Sequence, residues 1–228
     1  EARLEVLREA SDSGSRRAVT PEVSDRLRAL GYVAGTREPP TPGDRPNPAD
    51  HIEAWGEFET ALAEASSSDS AAALGRLKRL ADAHPGARVF QSTYARLLAE
   101  SGAVASALHV YRQAVQRWPT DATMFHELAV AARRAGRRAE ALRAEQAAVA
   151  IEPSLPSAHN GIGLLMTDEG QHHRASQAFE RAVAADPTNA EYWVNLGNAR
   201  RAAGETSGAA EAYREASELD PRSADAAN

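Results

Sequence analysis

The side chains able to do chemistry in this chain are few in kind. There are seven histidines (His51, His84, His109, His126, His159, His172 and His173) and no cysteine, so thiolate nucleophiles, thiolate metal sites and disulfides are excluded. A zinc-hydrolase helix needs two histidines four residues apart around a glutamate. His126-Glu127 is followed by Leu128-Ala129-Val130, which supplies no second histidine. His172 and His173 are adjacent, so on a helix they point to different sides and cannot grip one ion together. No G-x-S-x-G elbow or phosphate-cradling glycine loop is present, and Gly161-Ile162-Gly163 reads as a packing feature inside a helix. The expectation is therefore no catalytic residue, no metal site and no cofactor.

What remains is a question of which elements carry the polar side chains. Hydrophobic residues make up 43% of the 228 positions but aromatics only 5%, which favours closely packed helices on small side chains over a β sandwich. A formal net charge of -6 argues against nucleic acid as partner, because phosphate neutralisation requires a concentrated basic surface. No apolar run is long enough for a membrane span.

Self-comparison gives the organisation. Pro85, Pro119, Pro153, Pro187 and Pro221 are spaced by 34 residues, as are Gly102, Gly136, Gly170 and Gly204. Two alanine ladders share the period: Ala73, Ala107, Ala141, Ala175 and Ala209, then Ala114, Ala148, Ala182 and Ala216. The last unit carries Trp193, Leu196 and Gly197, then Ala209, Tyr213 and Ala216, then Pro221. This pattern resembles the tetratricopeptide repeat, with units at 54-87, 88-121, 122-155, 156-189 and 190-223. The resemblance implies an all-α solenoid, a right-handed superhelix of five antiparallel helix pairs. Ala95, Ala129, Gly163 and Gly197 would lie where the helices of a unit cross, facing Ala107, Ala141, Ala175 and Ala209. Each glycine would end a first helix in the left-handed conformation, and each proline would end a unit.

In the first unit the same register places Glu57, Thr60 and Glu64 at the large core positions. Starting the helix two residues earlier gives Trp55, Phe58 and Leu62, an apolar stripe of helical spacing. The turn Ser66-Ser67-Ser68-Asp69-Ser70 could absorb the two residues. The expectation is a genuine repeat with a longer internal turn; an unrelated capping helix is the alternative.

The family's first helices line a concave groove that takes peptides, so its groove positions carry over to Ser92, Arg96, His126, Val130, Arg133, Asn160, Leu164, Asp168, Val194, Asn198 and Arg201. The hydrogen-bonding subset is Arg96, His126, Arg133, Asn160, Asn198 and Arg201. Being net basic, it implies a protein or extended peptide partner with acidic side chains, although Glu100, Glu127, Asp168 and Glu191 lie nearby and a merely solvated face is the alternative. The pattern that grips chaperone C-terminal carboxylates is not matched, since Ser92, Arg96, Glu127, Ser157 and Gly161 stand at its positions. Nor is there an asparagine ladder: Thr93, Glu127 and Gly161 precede the single Asn195.

Ahead of the array, Thr20-Pro21-Glu22 reads as a helix start, with Val23, Leu27 and Leu30 on one face and Gly31 as the stop. Pro39, Pro40, Pro42, Pro46 and Pro48 mark an extended linker. The division is residues 1-35 as a helical segment, 36-50 as linker, 51-223 as the array with Asp50 capping the helix from His51, and 224-228 as tail. The run from Asp25 to Gly35, followed by the spacer and Asn47-Pro48-Ala49-Asp50, is similar to the junction in bacterial fusions of a sulfatase-like hydrolase to C-terminal tetratricopeptide repeats. That resemblance implies an interaction region of a larger bacterial protein, in the export pathway or cell envelope, with catalysis upstream of Glu1. A stand-alone scaffold is the other reading.

Two further expectations concern packing. Glu145 stands where other units carry Leu77, Tyr111, Phe179 or Tyr213, and His159 stands at the place of Trp193. They compensate each other directly, work through an arginine such as Arg143, or face water. At the C-terminal end, Tyr213 and Ala216 would lie on a face that a following unit would cover, which leaves Tyr213 partly exposed and allows end-to-end self-association.

Overall fold

The computed structural model describes residues 48–66 and 70–220. Every regular element among them is an α-helix, in the order α1 Pro48–Ser66, α2 Ser70–Ala83, α3 Arg88–Glu100, α4 Val104–Arg117, α5 Ala122–Arg134, α6 Arg138–Ile151, α7 Pro156–Asp168, α8 His172–Ala185, α9 Ala190–Ala202 and α10 Thr206–Leu219. Each helix packs on its chain neighbours, and the first helices of adjoining pairs also touch, α3 on α5, α5 on α7 and α7 on α9. The fold is thus an all-α solenoid of five helix pairs. The segment 1–47, the turn 67–69, Pro221 and the tail lie outside the described residues.

Why the units repeat is visible in their turns. Gly102, Gly136, Gly170 and Gly204 have φ of 88°, 72°, 71° and 84°, a region closed to most side chains. After each glycine the next N–H reaches back to close the helix end: Ala103 to the Leu98 carbonyl at 2.8 Å, Arg137 to Ala132 at 2.9 Å, Gln171 to Met166 at 2.9 Å and Glu205 to Arg200 at 2.8 Å. Between units, Pro85, Pro119, Pro153 and Pro187 sit in the connecting turns. Asp121 caps α5, its Oδ1 accepting from Met124 N at 3.0 Å, while its Oδ2 accepts from Arg88 at 2.7 Å. Asn189 caps α9 through Glu191 N.

Small residues close the crossings as the period implies. Ala95, Ala107, Ala141 and Ala175 are fully buried, with Ala129 and Ala209 nearly so. At Gly163 an added Cβ would lie 2.5 Å from the Phe179 ring, and at Gly197 2.6 Å from Tyr213, so these glycines are the space the aromatic rings occupy.

The first pair corrects two expectations. Helix α1 begins at Pro48, which puts Asp50 inside it rather than capping it. Trp55 and Phe58 do join the core, with ring centroids 5.2 Å apart and Phe58 5.1 Å from Phe90 of the next pair. Leu62, however, is 36% exposed, while Ala61 is completely buried. Ala61 stands 34 residues before Ala95, so the crossing keeps the common register and the two-residue shift does not hold there. Glu64, at a large core position in that register, stays tolerable because Arg76 donates to both its oxygens at 3.1 and 2.8 Å.

The core runs through the pairs in contiguous clusters. One joins the first two pairs around Phe58, Leu77 and Phe90; a second joins pairs two and three around Leu108, Tyr111, Met124 and Leu128; a third joins pairs four and five around Phe179 and Leu196. At the seam between pairs three and four, Ala122, Ala148 and Ala158 form a smaller buried cluster flanked by Phe125, Val149 and Leu155, while Leu165 of α7 joins the second cluster across the seam and Leu142 packs against the clusters on either side.

Candidate functional site

At that seam the concave face opens into a cavity of about 280 Å³. Its walls come from three successive first helices: His126, Ala129, Val130 and Arg133 on α5; Ser157, Asn160, Gly161, Leu164 and Leu165 on α7; Glu191 and Tyr192 on α9, with Asn189 as its cap. Glu145 enters from α6 below. Rigid helices fix all of these except the Asn189 turn, which favours a preformed site.

The floor is set by a glycine and a glutamate acting together. The Glu145 carboxylate occupies the space into which a Cβ on Gly161 would project. It is 2% exposed, and its hydrogen-bond partner among the described residues is His126, whose Nδ1 lies 3.1 Å from each oxygen. Burial pushes the Glu145 carboxyl above the usual carboxylate range, and the His126 hydrogen bond only partly opposes this.

The expected direct pairing of Glu145 with His159 is therefore corrected. His159 turns the other way and donates from Nε2 to the Pro153 carbonyl at 2.8 Å. Trp193, one period later, does the same to the Pro187 carbonyl at 2.9 Å. His159 is thus a working replacement for tryptophan, donating across the turn between units, and Glu145 finds its partner on the first helix of its own pair.

Of the groove residues taken from the sequence, the structure gathers His126, Val130, Arg133, Asn160 and Leu164 around the cavity. Asn160 is oriented by Asn195, whose Nδ2 donates to its Oδ1 at 3.0 Å. Arg133 lies 3.7 Å from Asp168 at the rim. The others stand apart from the cavity. Arg96 is paired with Glu100 at 3.1 Å on α3, Asn198 accepts from the Tyr213 hydroxyl at 2.8 Å, and Arg201 and Val194 are exposed on α9. Ser92 is half-buried on α3. With Arg96 and Arg133 each beside a carboxylate, the charge presented along the groove is mixed.

At the preceding seam, burial also pushes Glu127 of α5 upward, with the adjacent Tyr111 hydroxyl opposing and itself pushed upward by burial. Among the described residues no cluster of histidine, aspartate and glutamate could hold a metal ion, and no helix is long and apolar enough to cross a membrane. Glu145, Gly161, Ser157, Asn189 and Tyr192 were not groove candidates from sequence. The available signal was the seam ladder itself, in which Glu145 interrupts Leu77, Tyr111, Phe179 and Tyr213 with a charge.

Comparison with known proteins agrees with this architecture. The tetratricopeptide repeat family profile matches residues 58–122, 95–156 and 162–224. A comparison with curated protein sequences gives no match. Among solved structures, the chain is similar to MamA from Desulfovibrio magneticus RS-1 at 21% identity, covering 74% of this chain and 95% of that one with a TM-score of 0.61. It is similar to TTC0263, a thermophilic repeat protein of Thermus thermophilus, at 21% identity, 75% and 94% coverage and a TM-score of 0.63. It is also similar to YrrB, described as a repeat protein with an unusual peptide-binding site, at 18% identity, 76% and 92% coverage and a TM-score of 0.54. With matches over well more than half its length and the same succession of helix pairs, the chain belongs to the tetratricopeptide repeat family.

Proposed function

We propose that this chain is a scaffold whose concave face binds an extended segment of a partner protein, centred on the cavity between α5, α7 and α9. The observation that carries the reading is the convergence of His126, Arg133 and Asn160 with the apolar side chains Val130 and Leu164 in one recess formed by three consecutive first helices. Polar groups that can meet main-chain amides, beside walls that can hold side chains, are what an extended chain requires. Asn198 and Arg201 continue the same face toward the C-terminal end and Arg96 toward the other. The description of YrrB supports the choice of peptide as ligand class.

The test is selection of peptides from a displayed random library on the immobilised array. The Arg133→Glu variant is the control, because this half-exposed side chain can be changed with the helical circular dichroism preserved. The affinity of selected peptides for that variant should change at least tenfold. Equal binding by native and variant arrays, or no peptide enriched above background, would remove the proposal. The likeness of residues 25–35 to a hydrolase–repeat junction supports a second, compatible proposal, that the array serves a larger protein. The coding sequence ahead of Glu1 tests it, with a formylglycine-type motif as the expected finding and an unrelated reading frame as the contrary one.

A further inference from the structure

The cavity at the third seam holds a more specific message than the groove around it. Its volume of about 280 Å³ lies just under the range of pockets that take whole small ligands, and is the size of a recess for one side chain. Part of its collar is apolar, from Ala129, Val130, Leu164 and Leu165, Arg133 and Glu191 stand among its polar groups, and its floor is the carboxylate of Glu145. An ionised carboxylate offers about four acceptor positions. Here the ring N–H of His126, shared between both oxygens, is the hydrogen bond the described residues supply. The residues at this position in the other units are apolar or aromatic, so the charge at 145 is not a requirement of the solenoid. Gly161 is what allows the carboxylate to reach the floor, and its counterparts Thr93, Glu127 and Asn195 all carry side chains.

Occupants can be ranked by chemistry. An acidic side chain would meet Glu145 and Glu191, with Asp168 already beside Arg133 at the rim. An apolar side chain would seal a charged carboxylate under hydrocarbon and leave its acceptor positions unmet, which costs free energy. A long basic side chain satisfies both parts of the recess, since its methylene stem packs against the collar and its cationic head donates to the floor.

We propose that this pocket is an anchor site for a lysine or arginine side chain of the bound peptide, read by Glu145 through the gap left by Gly161. The proposal rests on the peptide-binding reading above. The arrival of a cation would also relieve the penalty that burial imposes on the Glu145 charge. The acidic preference expected from the groove arginines then applies, where it applies at all, to residues flanking the anchor.

The experiment is a positional-scanning library of N-acetylated, C-amidated decapeptides bound to the native array and to Glu145→Gln, followed by calorimetry on the best peptide and its norleucine analogue. One register position should demand lysine or arginine, norleucine there should weaken binding at least tenfold, and the gap should close in Glu145→Gln. The peptide-side substitution uses only the native protein, so the outcome does not depend on that variant folding. Peptides whose binding is changed by Arg133→Glu, yet which show no basic preference at any position, would overturn the anchor while leaving the groove in place. A lysine-to-norleucine gap that persists in Glu145→Gln would overturn the role of Glu145. No decapeptide distinguishing the native array from Arg133→Glu would overturn both readings together.

Discussion

Replacing Gly163 by alanine, with Gly56→Ala as its internal reference, isolates what a helix crossing is worth. Both glycines lie in helix interiors, so each substitution gains about 1 kcal/mol of helix propensity. At Gly56 a Cβ would meet nothing within 4 Å, and the gain should appear whole. At Gly163 the new Cβ would lie 2.5, 2.6 and 2.7 Å from three atoms of the Phe179 ring, whereas carbon atoms rest about 3.5–4.0 Å apart. The ring must therefore retreat by about 1 Å. It is 1% exposed and packed among Met166, Val183 and Leu196, so the retreat displaces neighbours rather than water. Overpacking of this kind costs about 1–3 kcal/mol. The two variants should then differ by about 1–3 kcal/mol, with Gly56→Ala raising stability and Gly163→Ala neutral or lowered. For a chain of this size that separation is about 2–12 °C in Tm. Because solenoids melt unit by unit, hydrogen exchange at the amides of α7 and α8 is the companion measurement, and the loss should be concentrated there. In the second pair Ala95 and Tyr111 stand at the positions of Gly163 and Phe179 and are both buried in one cluster, so a crossing can be built around alanine; the cost at Gly163 is that of reopening one already closed on glycine. Equal shifts in the two variants would refute the reasoning, as would a failure of Phe179→Leu, added to Gly163→Ala, to recover any of the lost stability.

Three other outcomes follow from features already described. Ala141→Leu and Ala175→Leu, both at fully buried crossings, should each lower stability by about 1–3 kcal/mol in chemical denaturation, and unchanged curves would contradict the packing. Asp121→Ala removes both the α5 cap and the Arg88 contact and should cost about 1–2 kcal/mol, whereas Asp121→Asn should recover most of the cap. Glu145, faced by His126 and Arg133 from α5 and by Glu191 from α9, is pushed upward by burial; the stability tied to its neutral form is complete below the ordinary glutamate range and is lost as pH rises through its folded value. Glu145→Gln should therefore gain on the native array as pH is raised from about 4.5 to 7, read as the difference in Tm, and a gap independent of pH would count against this.

The period of 34 was enough to place the four later pairs, because the residues that define it are those with the least freedom: glycine at positive φ, proline between helices and alanine at crossings. The first pair was misread where that logic was set aside for hydrophobicity. Trp55, Phe58 and Leu62 share a helical spacing, yet the decisive residue is the inconspicuous Ala61, which is buried because it is small. Glu145 was legible as an anomaly but not as a site. Sequence spacing suggested His159, the nearest unusual residue ahead of it, whereas helix packing turns Glu145 toward His126, 19 residues behind. What chose between them was the Pro153 carbonyl, a partner that leaves no mark in a side-chain pattern. Tyr213 shows a similar limit. It is half-exposed as expected, but its ring lies against Gly197 and its hydroxyl on Asn198, within its own pair rather than on an unfinished end. Ala216 is buried as well.

The seam between the third and fourth pairs, with its cavity, has a mechanical consequence. In a solenoid each unit touches only its neighbours, so a small rotation at one junction is carried undiminished to every unit beyond it, as along a lever arm. Here the junction combines a buried alanine cluster and its apolar flank with a buried, hydrogen-bonded carboxylate and a cavity. A side chain inserted into the recess would act at the junction between the front three pairs and the rear two, where any rotation it imposed would be carried to the whole of either arm.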